Sequence, residues 1–147
     1  MNTNWQVDDF WQVSLDWYQQ GQRHFLALQD KYGLNVNLAL LSLYTAKHGY
    51  VLTEQNYHQL VEALEGTEKI LSPLRQLRRK TKAMDSGAYK DMKAAELALE
   101  RRQQSALLVM LKHLEVERGD GHSNLANYCQ SQGVSAPKQL ESLLALI

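Results

Sequence analysis

The side chains best able to do chemistry lie close together in Leu74-Arg75-Gln76-Leu77-Arg78-Arg79-Lys80-Thr81-Lys82, which places five cations in eight positions. At about 100° per residue, Arg75, Arg78, Arg79 and Lys82 fall within one quadrant of a helix, while Lys80 points elsewhere. Such a face can grip a phosphate or an acidic protein surface, or it can be neutralised by carboxylates from a neighbouring helix. Glu96 and Glu100 supply those carboxylates if the chain turns at Asp85-Ser86-Gly87 and doubles back as a helical hairpin. Facing positions then add to about 172, which sets Arg75 and Arg78 opposite Glu96, and Arg75 near Glu100. Two readings stay open: a partly buried ion network, and a docking surface on which some of Arg75, Arg78, Arg79 and Lys82 remain free.

A second grouping surrounds the junction Gln29-Asp30-Lys31-Tyr32-Gly33-Leu34-Asn35-Val36-Asn37. Asn35 at a helix cap and Asn37 in the first turn can satisfy backbone donors that lack helical partners, and Asp30 is expected to anchor the same network. The alternative is a ligand pocket at that helix start. Trp5, Phe10, Trp11, Trp17 and Tyr18 crowd one short stretch, more than a single inward face can hold. Trp17, off the stripe from Trp11 to Tyr18, is expected to form exposed aromatic surface beside the cations.

The inventory for catalysis is thin. His24, His48, His58, His113 and His122 show no H-x-x-x-H or H-E-x-x-H spacing, and G-x-S-x-G, phosphate-loop and dinucleotide motifs are missing. No catalytic residue, metal or cofactor is therefore assigned. A deep pocket with several convergent titratable groups would revive an enzymatic reading. Cys129, the single cysteine, excludes an intramolecular disulfide and reads as a buried small hydrophobe in a reducing compartment.

The elements that must position these groups are helical throughout, and no segment reads as a strand. Asp8 is expected to cap a helix over 9–19, and Gly21 to separate it from a second over 22–32 that stops at Gly33. Asn35 caps a third from Val36 to Ala46, apolar on all sides and hence the hub of the core. Thr53 caps a fourth that Gly66 closes. A helix from near Thr67, kinked at Pro73, carries Ile70, Leu71, Leu74, Leu77 and Met84 inward. One long helix near 88–114 follows, with a stripe of Met92, Leu99, Ala106 and Met110. Ser123 caps a short helix through Cys129, and Ser135-Ala136-Pro137 opens a last one with Leu140, Leu143, Leu144 and Ile147 on one side.

The 147 residues, 44% of them hydrophobic, carry sixteen basic and sixteen acidic groups. The balance hides an asymmetry: residues 1–66 are net −4, residues 67–118 net +5 and the remainder net −1. No apolar run reaches the length of a membrane span, and Met1 to Gln6 lacks the pattern of a leader.

Phe10-Trp11-Gln12-Val13-Ser14-Leu15, Leu26 to Asp30, Asn35-Val36-Asn37-Leu38, Leu74 to Arg79 and Glu96 to Arg101 together resemble a family of short, uncharacterised bacterial proteins, an all-helical domain of unknown function. The resemblance covers roughly the first 105 residues. It implies a bacterial cytoplasmic protein and brings no activity with it. At Asn35 the family pattern carries an acidic residue, which this chain lacks.

The expectation is an all-α, single-domain bundle (1–147) of about seven helices around a buried central one. It is expected to act as an interaction or regulatory module toward a protein partner, through Arg75, Arg78, Arg79, Lys82 and Trp17. Asp30, Asn35, Asn37, Glu96 and Glu100 are expected to form its structural polar network. Nucleic-acid or ribosome binding through the same cations is one alternative, a small apolar ligand between helices another. A membrane partner is not expected, and a homo-oligomer stays open.

Overall fold

Helix α1 (Val7–Tyr32) starts two residues earlier than expected, because Asp8 and Asp9 are engaged elsewhere. The Asp8 carboxylate accepts from Arg101 at 2.7 Å and that of Asp9 from the Tyr44 hydroxyl at 2.7 Å, so Asp8 is not the cap and Gln6 takes that place. The two helices expected on either side of Gly21 are both present and meet in a kink at that glycine, whose φ of −114° and ψ of 21° are not helical; α1 runs through both. A Cβ at Gly21 would lie 3.2 Å from Leu146 and 3.3 Å from Leu143, so the glycine admits the last helix, α6 (Gln139–Leu144), to close range. The computed structural model of the chain describes residues 5–135 and 137–147; Met1 to Asn4, read above for a leader, and Ala136, in the expected opening of the last helix, lie outside them.

Gly33, with φ of 68°, ends α1, and Asn35 caps α2 (Val36–Lys47) by accepting from the Leu38 N–H at 3.0 Å. Residues Asn37 to Thr45 are all buried, as expected of the hub. Ser42 and Thr45 remain tolerable there because each hydroxyl donates to a carbonyl one turn back at 2.8 Å.

One expectation fails after Gly49: Tyr50–Val51 (β1) and Glu117–Arg118 (β2) pair as a two-residue antiparallel ladder. Two residues cannot show a period of two, so no alternation marks them. The larger correction concerns α3 (Glu54–Thr81). Thr53 and Asn56 form the capping box that starts it, but Gly66 does not close it and no helix begins near Thr67. Gly66 is exposed, where a helical glycine costs only about 1 kcal/mol, and Pro73 is exposed as well. Burial of Tyr57, Leu60, Leu64 and Leu71 along one face holds the helix together across both. Ile70, Leu77 and Met84, expected inward, are instead 54, 49 and 79% exposed.

Asp85 accepts from the N–H groups of Gly87 and Ala88 and starts α4 (Ser86–His113), which at 28 residues is about 42 Å long. It lies along α3 as the second arm of a hairpin. Its buried residues are Glu96, Gln103, Gln104, Leu107, Leu108 and Leu111; the expected stripe of Met92, Leu99, Ala106 and Met110 is only half-buried, so polar side chains occupy the innermost track. Asp120, rather than Ser123, accepts at the start of the following 3₁₀ turn (Gly121–Ser123), which leads into α5 (Asn124–Ser131). Helix α6 packs against α1 with Leu143 fully buried and Leu140 and Leu144 half-buried, while Ile147, expected on the same side, is 38% exposed.

The described residues thus form an all-α fold of six α-helices and one 3₁₀ turn, with α2 buried at its centre. No described helix is long and apolar enough to cross a membrane. Trp17, expected at the surface, is 5% exposed, because α2, α4 and α6 cover α1 on more than one face; the Lys47 ammonium stands 5.8 Å from its ring centre. Leu15 is 43% exposed.

Candidate functional site

Arg75 and Glu96 approach across the α3–α4 hairpin to 3.6 Å, Arg75 and Glu100 to 3.6 Å, and Arg75 and Glu68 to 3.8 Å. Arg78 donates from Nε to the other oxygen of Glu96. These pairings follow from the antiparallel register fixed by the Asp85 turn. Arg75 is therefore enclosed by three carboxylates and is not a free docking group. Burial raises the Glu100 carboxyl above its usual range; Arg75 opposes this and the Glu96 charge adds to it.

Asp30 stands apart from the network expected for it. It lies at the surface, 3.4 Å from Arg79, since the end of α1 carries it away from the start of α2. Asn35 and Asn37 instead meet residues of α3 and α4. Asn35 donates to Glu68 at 2.7 Å and to Gln103 at 3.2 Å, and Asn37 donates to Gln103 at 3.1 Å and to the Glu100 carbonyl at 3.0 Å. The Asn35 N–H donates to the Tyr128 hydroxyl at 2.8 Å. The amide of Gln104 donates to Ser14 at 2.9 Å and to Asn37 at 3.1 Å.

Above this network a cleft of about 200 Å³ opens between α1, α2, α3 and α4. Trp11, Leu15, Tyr18, Leu26, Val36, Leu40 and Leu97 form its apolar walls, and Arg78, Arg79 and Lys93 stand among its cations. Two groups along it are incompletely satisfied. The Gln104 Oε1 is buried with no hydrogen-bond partner, and the buried Arg75 Nε also lacks one, its closest carboxylate being Glu96 at 3.6 Å. Native interiors pair nearly all such atoms; Trp5 Nε1 and Gln139 Oε1 are also unpaired, but Gln104 and Arg75 are the two of these residues that line the cleft, and the amide oxygen of Gln104 marks a place for a donor there. Burial, then the charges of Glu100 and Glu96, raise the Tyr18 phenol above its ordinary value, so it stays protonated in the cleft.

At one end, Arg78, Lys82 and Lys93 stand 5.9, 5.9 and 5.7 Å from the Tyr89 ring centre. Of the sequence-predicted residues, the structure brings Arg75, Arg78, Asn37, Glu96 and Glu100 to the cleft, Arg79 to its edge and Lys82 to the Tyr89 corner. It leaves Asn35 in the network beneath, Asp30 at the surface and Trp17 in the core. Sequence reasoning missed Ser14, Gln104, Tyr18, Tyr89 and Lys93 as site residues. The available signal was Gln103-Gln104, two amides on the inner track of a helix expected to bury apolar groups.

An all-helical bundle with a cleft walled by apolar groups and edged with cations is the class that the fold and site define. The chain belongs to the family described as Protein of unknown function (DUF2390), whose family model matches residues 9–107 and so includes every residue lining the cleft. No curated protein and no solved structure matches the chain.

Proposed function

We propose that this is a bacterial cytoplasmic binding module, acting without catalysis, and that its site is the cleft between α1, α2 and the α3–α4 hairpin. The ligand class is a small organic molecule with an apolar body and an N–H or O–H group. The observation that carries this reading is the unpartnered Gln104 Oε1 on a wall otherwise built from Trp11, Tyr18, Leu26 and Leu40. The carboxylates beside it support binding over acid–base chemistry, because Glu96 lies between two guanidinium groups and Glu100 lies beside Arg75. Docking to a protein partner or to nucleic acid through the cations has less support, since Arg75 and Arg78 are already paired with carboxylates. Nucleic-acid binding would give a steep salt dependence, whereas a module of this kind gives a shallow one or no retention at all in filter binding.

N-phenyl-1-naphthylamine, a neutral dye with one N–H donor and an emission that brightens in apolar surroundings, tests the cleft. Saturable one-to-one binding is expected, and Leu26→Trp, which fills the cleft from its half-exposed wall, is expected to abolish it with the circular dichroism spectrum unchanged. Absence of saturable binding, or equal binding by the Leu26→Trp protein, would refute the reading.

A further inference from the structure

The Tyr89 corner has a composition that the fold does not account for. Arg78 and Lys93 line the cleft and also stand over the Tyr89 ring, and Lys82 joins them one helical turn after Arg78. Arg78 is paired with Glu96, but neither Lys82 nor Lys93 has a carboxylate within 4 Å among the described residues. The Tyr89 phenol is affected: desolvation works against ionisation, yet the Lys93 and Arg78 hydrogen bonds and the Lys82 charge outweigh it and hold the group below its ordinary value. Two ammonium groups without a carboxylate partner among the described residues, converging with a guanidinium on one phenol, leave local positive charge uncompensated, beside a cleft whose other end asks for a donor.

From this we infer that the cleft's ligand is an amphipathic oxyanion, whose carboxylate, phosphate or sulfonate sits among Arg78, Lys82 and Lys93 while its apolar body lies along the cleft toward Gln104. The inference rests on the cleft being a binding site, as proposed above. Charge-assisted hydrogen bonds from lysine to an oxyanion are short and strong, and the corner is open enough for an anion to enter without stripping Glu96 from Arg78. The geometry also sets the ligand's length. Lys93 and Gln104 are eleven positions apart on α4, on the order of 16 Å along the axis, less the reach of the lysine side chain. A molecule of the size of a fused aromatic acid fits that span, and a bare inorganic ion leaves the apolar walls uncovered.

Paired probes separate this inference from the reading it rests on. 5-Anilinonaphthalene-1-sulfonate has the same skeleton as N-phenyl-1-naphthylamine with a sulfonate added across the ring system from the N–H. In the Lys82→Gln protein, changed at an exposed position that does not line the cleft, the sulfonate dye is expected to bind about fivefold more weakly, a loss of one charge-assisted contact, while the neutral dye keeps its affinity. Added salt should weaken the sulfonate dye alone. An unchanged sulfonate affinity, or equal loss for both dyes, overturns the oxyanion site and leaves the cleft standing. If neither dye binds the parent protein, the cleft reading falls and takes the oxyanion site with it.

Discussion

Helix α2 carries a polar cluster at each end, and the two are finished differently. Toward its C-terminal end, Asn124 from α5 donates to the Tyr50 carbonyl at 2.9 Å and to Thr45 at 3.0 Å, and accepts from the Leu52 N–H at 2.8 Å. All three residues are buried except for a modest edge at Tyr50, and the Asn124 amide is fully used. Toward its N-terminal end, Asn37, Gln103 and Gln104 are equally buried, yet the Gln104 oxygen is left over and a cleft opens beside it. A closed network fixes one arrangement of chain; a network with a spare acceptor holds a place for something else. Burial alone does not separate the two; the difference is the unmet acceptor inside the hydrogen-bonded cluster itself, since the buried Trp5 Nε1 that packs on Tyr50 beside the Asn124 cluster is also without a hydrogen-bond partner.

Asn124→Ala attacks the closed end. It strands the Tyr50 carbonyl and the Leu52 N–H inside the core, and a loss of about 4 kcal/mol in urea unfolding is expected. Glu96→Gln comes next, at about 2 kcal/mol, because two guanidinium groups lose their common charge while an acceptor oxygen remains. Gln104→Met is expected to cost about 2 kcal/mol in the same measurement, because the buried Ser14 and Asn37 lose its amide donor while its own unmet oxygen is removed, and to weaken the neutral dye about fivefold; a loss as large as that of Asn124→Ala would erase the contrast between the two ends.

The smallest effect is one of sign. The folded-state carboxyl of Glu100 titrates above its unfolded value, so the parent protein keeps full stability from this group only below the unfolded value. That stability is lost as pH rises through the raised one. Glu100→Gln, which carries no charge, is therefore expected to match the parent near pH 4 and to melt higher at pH 7. A melting temperature lower at pH 7 than the parent's would show that pairing with Arg75 outweighs burial.

Much of this was legible from the chain. The caps Asn35 and Thr53 have side chains that bond to the backbone three residues ahead, and such local chemistry is readable in order along the sequence. The opposition of Arg75 and Arg78 to Glu96 followed from the turn between them. The α3 boundary did not follow, because Gly66 and Pro73 signal breaks locally and only the tertiary burial of Leu64 and Leu71 overrules them. Trp17 misled for the same reason: an aromatic off the main stripe is exposed on a helix with one covered face, and α1 has several. Asn124 and the Tyr128 hydroxyl act on residues 72 or more positions away and leave no local trace. The spare Gln104 oxygen is a property of three dimensions, visible only once all its neighbours are placed.

The Tyr128 hydroxyl has one more consequence. It receives the N–H of Asn35, and Asn124 ties β1 to α2, yet both residues lie beyond position 107, where the family match ends. A chain trimmed to the shared region would keep every wall of the cleft while uncovering the centre on which those walls stand. The unit that recurs by descent is therefore shorter than the unit that must be synthesised for the shared part to hold its shape, and expression of the family segment by itself is expected to yield a loosened bundle.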